Sequence, residues 1–158
     1  MTVTAVVVTF NRLDLLRRLV AALREVPELD EILIIDNAST DGTGAWLVEA
    51  SASDGVLARS LAHNTGGAGG FAEGLSWAME RGADLAWLMD DDGLPDPDCL
   101  TRLLEHDGTL DFWGPAVLAE HDQERLCFPI RLPGGTTVVH RMAEVEAAAS
   151  GGLVAGVV

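Results

Sequence analysis

Val3-Thr4-Ala5-Val6-Val7-Val8-Thr9-Phe10-Asn11-Arg12 is an unbroken, largely β-branched run that gives way to a polar exit. A run without polar alternation predicts a strand over 3–9 covered on both faces, as in a parallel sheet. Asn11 can cap the following helix, in which Leu13, Leu16, Val20 and Leu23 recur every three or four residues until Pro27 stops it. Ile32 to Ile35 read as a second buried strand, Asp36 to Gly44 as turns, and Trp46 to Ala50 as a short helix. A weaker strand over Val56 to Leu61 leads through a glycine-rich loop to a helix from Gly70 to Arg81, ended by Gly82. Leu85 to Met89 give a fourth strand, and Asp96-Pro97 pairs an N-cap with a first helical residue.

Strands alternating with helices predict right-handed crossovers and an α/β fold, a mostly parallel sheet with helices on both faces. Past Asp111 the pattern loosens. Phe112 to Leu118 read as a strand, and Arg125 to Ile130 with Thr136 to His140 as a hairpin around Pro133-Gly134-Gly135. Met142 to Ala149 read as a helix and Leu153 to Val158 as a further strand, so the C-terminal part is expected to be incomplete.

The 158 residues suit one domain. A formal charge of −15 repels a phosphate backbone and argues against nucleic acid as partner. Cys99 and Cys127 lack the spacing of a zinc site or redox dithiol and are read as buried, reduced thiols. No cationic leader precedes the first apolar run, and no apolar segment approaches the ~18 residues needed to span a bilayer. The expectation is a soluble, cytoplasmic protein.

In an open parallel sheet ligands bind beyond the carboxyl ends of the strands, so the residues leaving each strand form the candidate site. Those exits are Thr9-Phe10-Asn11-Arg12, Asp36-Asn37-Ala38-Ser39, Asn64-Thr65-Gly66-Gly67-Ala68-Gly69-Gly70-Phe71 and Asp90-Asp91-Asp92. From Asp84 to Asp111 nine acidic residues face the single Arg102. Three adjacent carboxylates repel one another unless a cation sits among them, and hard oxygen donors select Mg²⁺ or Mn²⁺ completed by substrate phosphates. A solvated acidic turn is the plain competitor. A calcium loop over Asp90 to Asp98 is a second alternative, although Leu88 breaks the EF-hand pattern; it would make the chain a calcium-stabilised, non-catalytic interaction domain.

The other exits suit a nucleotide. Gly66 and Gly67 allow backbone N–H groups and a helix start to approach a phosphate. A dinucleotide fingerprint would follow the first strand, whereas this loop follows the third, which argues against a dehydrogenase. Asp36 could accept from a base imide or a ribose hydroxyl, with Asn37 capping its turn. Thr9 and Asn11 could line a base pocket, Asn64 could brace the loop or touch ribose, and Arg12 could meet phosphate. A nucleotidyltransferase would need a longer, glycine-rich loop after the first strand.

Together Val6 to Arg12, Ile35 to Thr43, Asn64 to Phe71 and Trp87 to Gly93 resemble the family 2 glycosyltransferases of GT-A, Rossmann-like fold. They are nearest the galactofuranosyltransferase and rhamnosyltransferase branch, to which Arg125 to Arg131 is also similar. The resemblance implies an inverting, metal-dependent transfer of a sugar, such as galactofuranose or rhamnose, from a UDP- or dTDP-linked donor. The acceptor would be a glycan or lipid-linked molecule of cell wall biosynthesis, with peripheral attachment at the inner membrane face. By the family pattern Asp36 meets the base, Asp90 or Asp91 approaches ribose or sugar, and Asp90 and Asp92 hold Mg²⁺ or Mn²⁺. Residues 1–110 would be the nucleotide-sugar-binding half and 111–158 the start of the acceptor-side half. No acidic residue past Asp111 matches the family's general base motif, so that base is expected beyond Val158 and this chain is expected to bind donor only.

Overall fold

A computed structural model describes residues 1–52, 56–105, 111–132 and 135–149. The chain divides into two compact units, Met1–Asp107 and Gly108–Val158. In the first unit the order is β1 (Val3–Thr9), α1 (Leu13–Leu23), β2 (Glu31–Asp36), α2 (Thr43–Ala50), β3 (Val56–Ser60), α3 (Gly66–Glu80), β4 (Leu85–Asp90) and α4 (Cys99–Leu104). The second unit carries β5 (Leu118–Ala119), β6 (Asp122–Arg131), β7 (Val138–Arg141) and α5 (Met142–Ala149).

The four strands of the first unit are parallel and ordered β3-β2-β1-β4. All seven residues of β1 are buried, as its β-branched run demands. Alternation along the strands then sorts the helices. Ala5, Val7, Ile32 and Ile34 meet Leu16, Leu19, Val20 and Leu23 of α1 and Leu47 and Ala50 of α2. Val6 and Leu33 meet Ala78 of α3, with Phe71 and Trp77 packed alongside. Helices thus cover both faces, and each fully buried Leu or Val of α1 contributes about 2 kcal/mol.

The glycine-rich stretch departs from its sequence reading. It is the first turn of α3, which starts at Gly66 rather than Gly70. Close approach to the sheet explains this: a Cβ at Gly70 would stand 2.6 Å from Val8 Cγ1, and one at Gly74 2.3 Å from Val6 Cγ1. At the far end Gly82, at φ +82°, lets its own N–H reach Met79 and that of Ala83 reach Ala78, closing the helix. The next helix begins at Cys99 rather than at Asp96-Pro97, with Asp98 before it.

In the second unit β6 lies between β5 and β7 in an antiparallel sheet, with α5 against β6 and β7. The expected hairpin and helix are present. The strand expected over Phe112 to Leu118 shrinks to Leu118–Ala119, because 112–117 pair with no continuous partner strand. Leu153 to Val158, Pro133 and Gly134 lie outside the described residues. Cys99 is half-buried and Cys127 exposed on β6, correcting the expectation that both are buried; both are free thiols. No helix among the described residues is long and apolar enough to cross a membrane.

Candidate active site

The chain runs outward from β1 through β2 to β3, while β4 pairs with the opposite edge of β1. The connections therefore diverge on either side of β1, and a crevice opens beyond the carboxyl ends of the strands. A cleft of about 280 Å³ lies there. Val8, Thr9, Phe10 and Arg12 line it from β1, Asn37 from β2, Asn64, Gly66 and Gly67 from the start of α3, and Asp90 and Asp91 from β4. Eight of the ten residues singled out for a nucleotide line this cleft.

The three aspartates occupy three different environments. Asp91 is only 3% exposed. Its Oδ2 accepts from the Thr9 hydroxyl at 2.7 Å and its Oδ1 from Arg12 Nη1 at 3.1 Å, so both oxygens are committed. Asp92 stands at the exposed rim, where the same Arg12 nitrogen donates to its Oδ2 at 3.0 Å. The Asp90 carboxylate has no hydrogen-bond partner among the described residues, although its backbone carbonyl accepts from the Gly93 N–H. Desolvation, then the charges of Asp92 and Asp91, push its carboxyl above the ordinary range against the opposing pull of Arg12, although one side of it remains open to solvent. Arg12 is correspondingly raised, first by its bond to Asp91.

Among the described residues no group of three or more His, Cys, Asp and Glu gathers that could by itself hold a metal ion. Calcium, which takes about 6–8 oxygens, finds no such cage there. Asp90 and Asp92 nonetheless suit Mg²⁺ or Mn²⁺. Both are hard oxygen donors, one without a partner and one held only by a half-exposed arginine, and such ions keep one or two carboxylates and take the rest from phosphate and water.

Asn37 braces the α3 start. Its Oδ1 accepts from the Thr65 N–H at 3.0 Å and from the Thr65 hydroxyl at 3.2 Å, and its Nδ2 donates to the Gly66 carbonyl at 3.0 Å. Asn64 Oδ1 accepts from the Gly66 N–H at 2.7 Å. Nothing among the described residues accepts from the N–H groups of Gly67 and Ala68 at the positive end of α3. A Cβ on Gly67 would meet no atom within 4 Å, so this residue faces open space.

Two expected residues lie outside the lining. Asp36 is buried beside Thr9, its Oδ1 taking the Ser39 N–H and its Oδ2 the Ser60 hydroxyl. Asn11 does not cap α1. It adopts φ +54°, donates its N–H to Ser39 Oγ and accepts from the Thr40 N–H, while Asp41 Oδ2 takes the N–H of Leu13 and caps the helix instead. Phe10, Ser39 and Thr65 stand among the strand exits with no individual role legible in the sequence, and Val8 as lining and Thr40, Asp41 and Ser60 as struts emerge only in the structure. The signal for the struts was present in the run of Asp, Ser and Thr that favours side-chain-to-backbone bonds.

The family model described as glycosyl transferase family 2 matches residues 4–117. The chain belongs to glycosyl transferase family 2. It is 40% identical over 115 residues to the undecaprenyl-phosphate mannosyltransferase of Micrococcus luteus, covering 70% of this chain and 46% of that protein. It is 39% identical over 133 residues to galactofuranosyltransferase GlfT1 of Mycolicibacterium smegmatis, covering 82% of this chain and 43% of the relative. The chain thus spans less than half the length of these relatives. Among solved structures, the Pyrobaculum calidifontis mannosyltransferase PcManGT in complex with GDP-Man and Mn²⁺ superposes with a TM-score of 0.60 at 19% identity, over 93% of this chain and 46% of that one. Staphylococcus aureus TarS 1-349 in complex with UDP-GlcNAc gives 0.61 at 16% identity, over 93% and 47%. The fold of the chain is GT-A.

Proposed function

We propose that this chain is the donor-binding half of an inverting, metal-dependent glycosyl transferase, with a nucleotide diphosphate sugar seated in the cleft beyond β1 and β4. The observation that carries the reading is the meeting of an unpartnered carboxylate, Asp90, with the free N–H groups at the start of α3 across one crevice. Thr9, Arg12, Asn37, Asn64, Gly66, Gly67, Asp90 and Asp91 form its walls, and Asn11 and Asp36 shape the base side from behind. Gly67 leaves room for the diphosphate against the helix start. Asp90 and Asp92 would hold Mg²⁺ or Mn²⁺, which when bound supplies positive charge to the departing nucleotide. Thr9 and Arg12 keep Asp91 oriented beside them.

The GlfT1 relatives favour galactofuranose over rhamnose as the sugar. The mannosyltransferase relative makes mannose the competing donor, and the nucleotide separates the two, UDP or dTDP against the GDP bound in the archaeal neighbour. The names undecaprenyl-phosphate mannosyltransferase and polyprenol monophosphomannose synthase support a lipid-linked acceptor and work at the membrane surface. No residue of this chain is assigned as the general base, the carboxylate that deprotonates the acceptor hydroxyl.

Calorimetric titration with UDP, dTDP and GDP, each with and without Mn²⁺, tests the reading. Mn²⁺ should tighten one nucleotide selectively, and Asp92→Ala should abolish that gain. Affinity indifferent to both metal and substitution would overturn it.

A further inference from the structure

Among the described residues Arg12 is the one cation bonded to these aspartates, and its two bonds differ in kind. A single nitrogen, Nη1, bridges Asp91 Oδ1 and Asp92 Oδ2. On the Asp91 side the partner is buried and fixed by Thr9. On the Asp92 side both partners are half-exposed, with side-chain exposures of 51% for Arg12 and 54% for Asp92. A solvent-screened pair of this type is weak and exchanges readily, whereas breaking the buried arm would leave Asp91 uncompensated. The bridge therefore has one permanent end and one detachable end.

Resting on the donor-binding reading above, we propose that Arg12 is a placeholder for the divalent ion: it holds Asp92 while the site lacks metal and exchanges that carboxylate for the donor diphosphate when metal arrives. A guanidinium and a divalent ion repel each other, so a metal bound at Asp92 weakens the hold of Arg12 on Oδ2. Arg12 itself lines the cleft, so on leaving Asp92 it keeps Asp91 as its anchor and turns its remaining donors to phosphate oxygens, which a planar fork matches well. Metal alone displaces Arg12 without giving it a new partner. Metal together with a diphosphate supplies one. Arg12 is thus a positioning residue that makes metal and nucleotide bind cooperatively, and by linkage each tightens the other by the same factor.

The test measures Mn²⁺ alone, UDP alone and both together, by calorimetry and by the electron paramagnetic resonance of free Mn²⁺, on the 158-residue chain and on Arg12→Met. The wild-type chain should show mutual tightening of at least about fivefold. Arg12→Met should bind Mn²⁺ alone more tightly than wild type, yet show clearly weaker mutual tightening, the remainder coming from direct coordination of the diphosphate by the metal. A residue that merely supported the site would weaken both ligands on removal, and that outcome overturns the proposal, as does coupling undiminished in Arg12→Met. If Arg12→Met does not fold, Arg12→Lys carries the test, because a point charge lacks the fork; coupling equal to wild type in that variant overturns the proposal. Absence of any manganese-dependent nucleotide binding in the wild type removes the functional reading as well, whereas its presence with Arg12-independent coupling removes this inference alone.

Discussion

At the scale of single residues, Asn37 uses its whole amide on one neighbouring segment: Oδ1 takes two donors from Thr65 and Nδ2 serves the Gly66 carbonyl. Being buried, it has no water to replace those bonds. Asn37→Ala is expected to cost about 1–3 kcal/mol of stability through the orphaned groups, read as a lower urea midpoint at unchanged slope. Nucleotide binding should weaken with it, because Gly66 and Gly67 would lose their brace. Asn37→Asp, of the same shape, should not rescue, since it puts a carboxylate oxygen against the Gly66 carbonyl. The location of this residue was legible in the sequence, as the exit of a strand, but its partners were not. Thr65 lies 28 residues away, and a bond across that distance leaves no trace in local pattern. The same holds for Asn11, whose capping chemistry was evident while its left-handed conformation depended on Ser39 and Thr40.

At the scale of elements, α3 shows where propensity and packing disagree. Glycine in a helix costs about 1 kcal/mol relative to alanine, which is why the sequence suggests a loop over 66–70. The structure makes it helix because Gly70 and Gly74 let α3 sit directly on Val8 and Val6 of β1. Gly70→Ala or Gly74→Ala should therefore destabilise by about 1–3 kcal/mol through overpacking, measurable as a loss of melting temperature. Gly67→Ala gives the opposite separation. Its Cβ meets nothing in the protein, so stability should change by less than about 1 kcal/mol, while nucleotide affinity falls because the methyl enters the cleft. The buried strands β1 and β2 and the amphipathic α1 were readable from periodicity. The stretch 112–117 was not, since an apolar run reads as a strand whether or not a partner strand lies alongside it.

At the scale of the molecule, acid is expected to loosen the fold. Asp41 is held below the ordinary carboxylate range, first by the Thr43 hydroxyl and further by the N–H groups of Leu13 and Thr43. Glu31 is lowered by its bond to Arg81, which ties the start of β2 to the end of α3. Groups with depressed folded values stabilise above the unfolded carboxylate value, near about pH 4, and lose that contribution as pH falls through the folded value. Thermal melts from about pH 3 to 6 should show a steep acid limb, flattened in the double variant Asp41→Asn, Glu31→Gln.

The pairing of β4 with β1 carries a consequence for how this molecule comes into being. Thr9 and Asp91 are 82 residues apart in the chain, and β4 is the last strand of its sheet to be synthesised. Contacts so remote form late, after the intervening loop has been closed at entropic cost. Until that docking the crevice lacks the wall formed by Asp90 and Asp91. A nucleotide that binds only the finished crevice would therefore draw the folding equilibrium toward the docked β4.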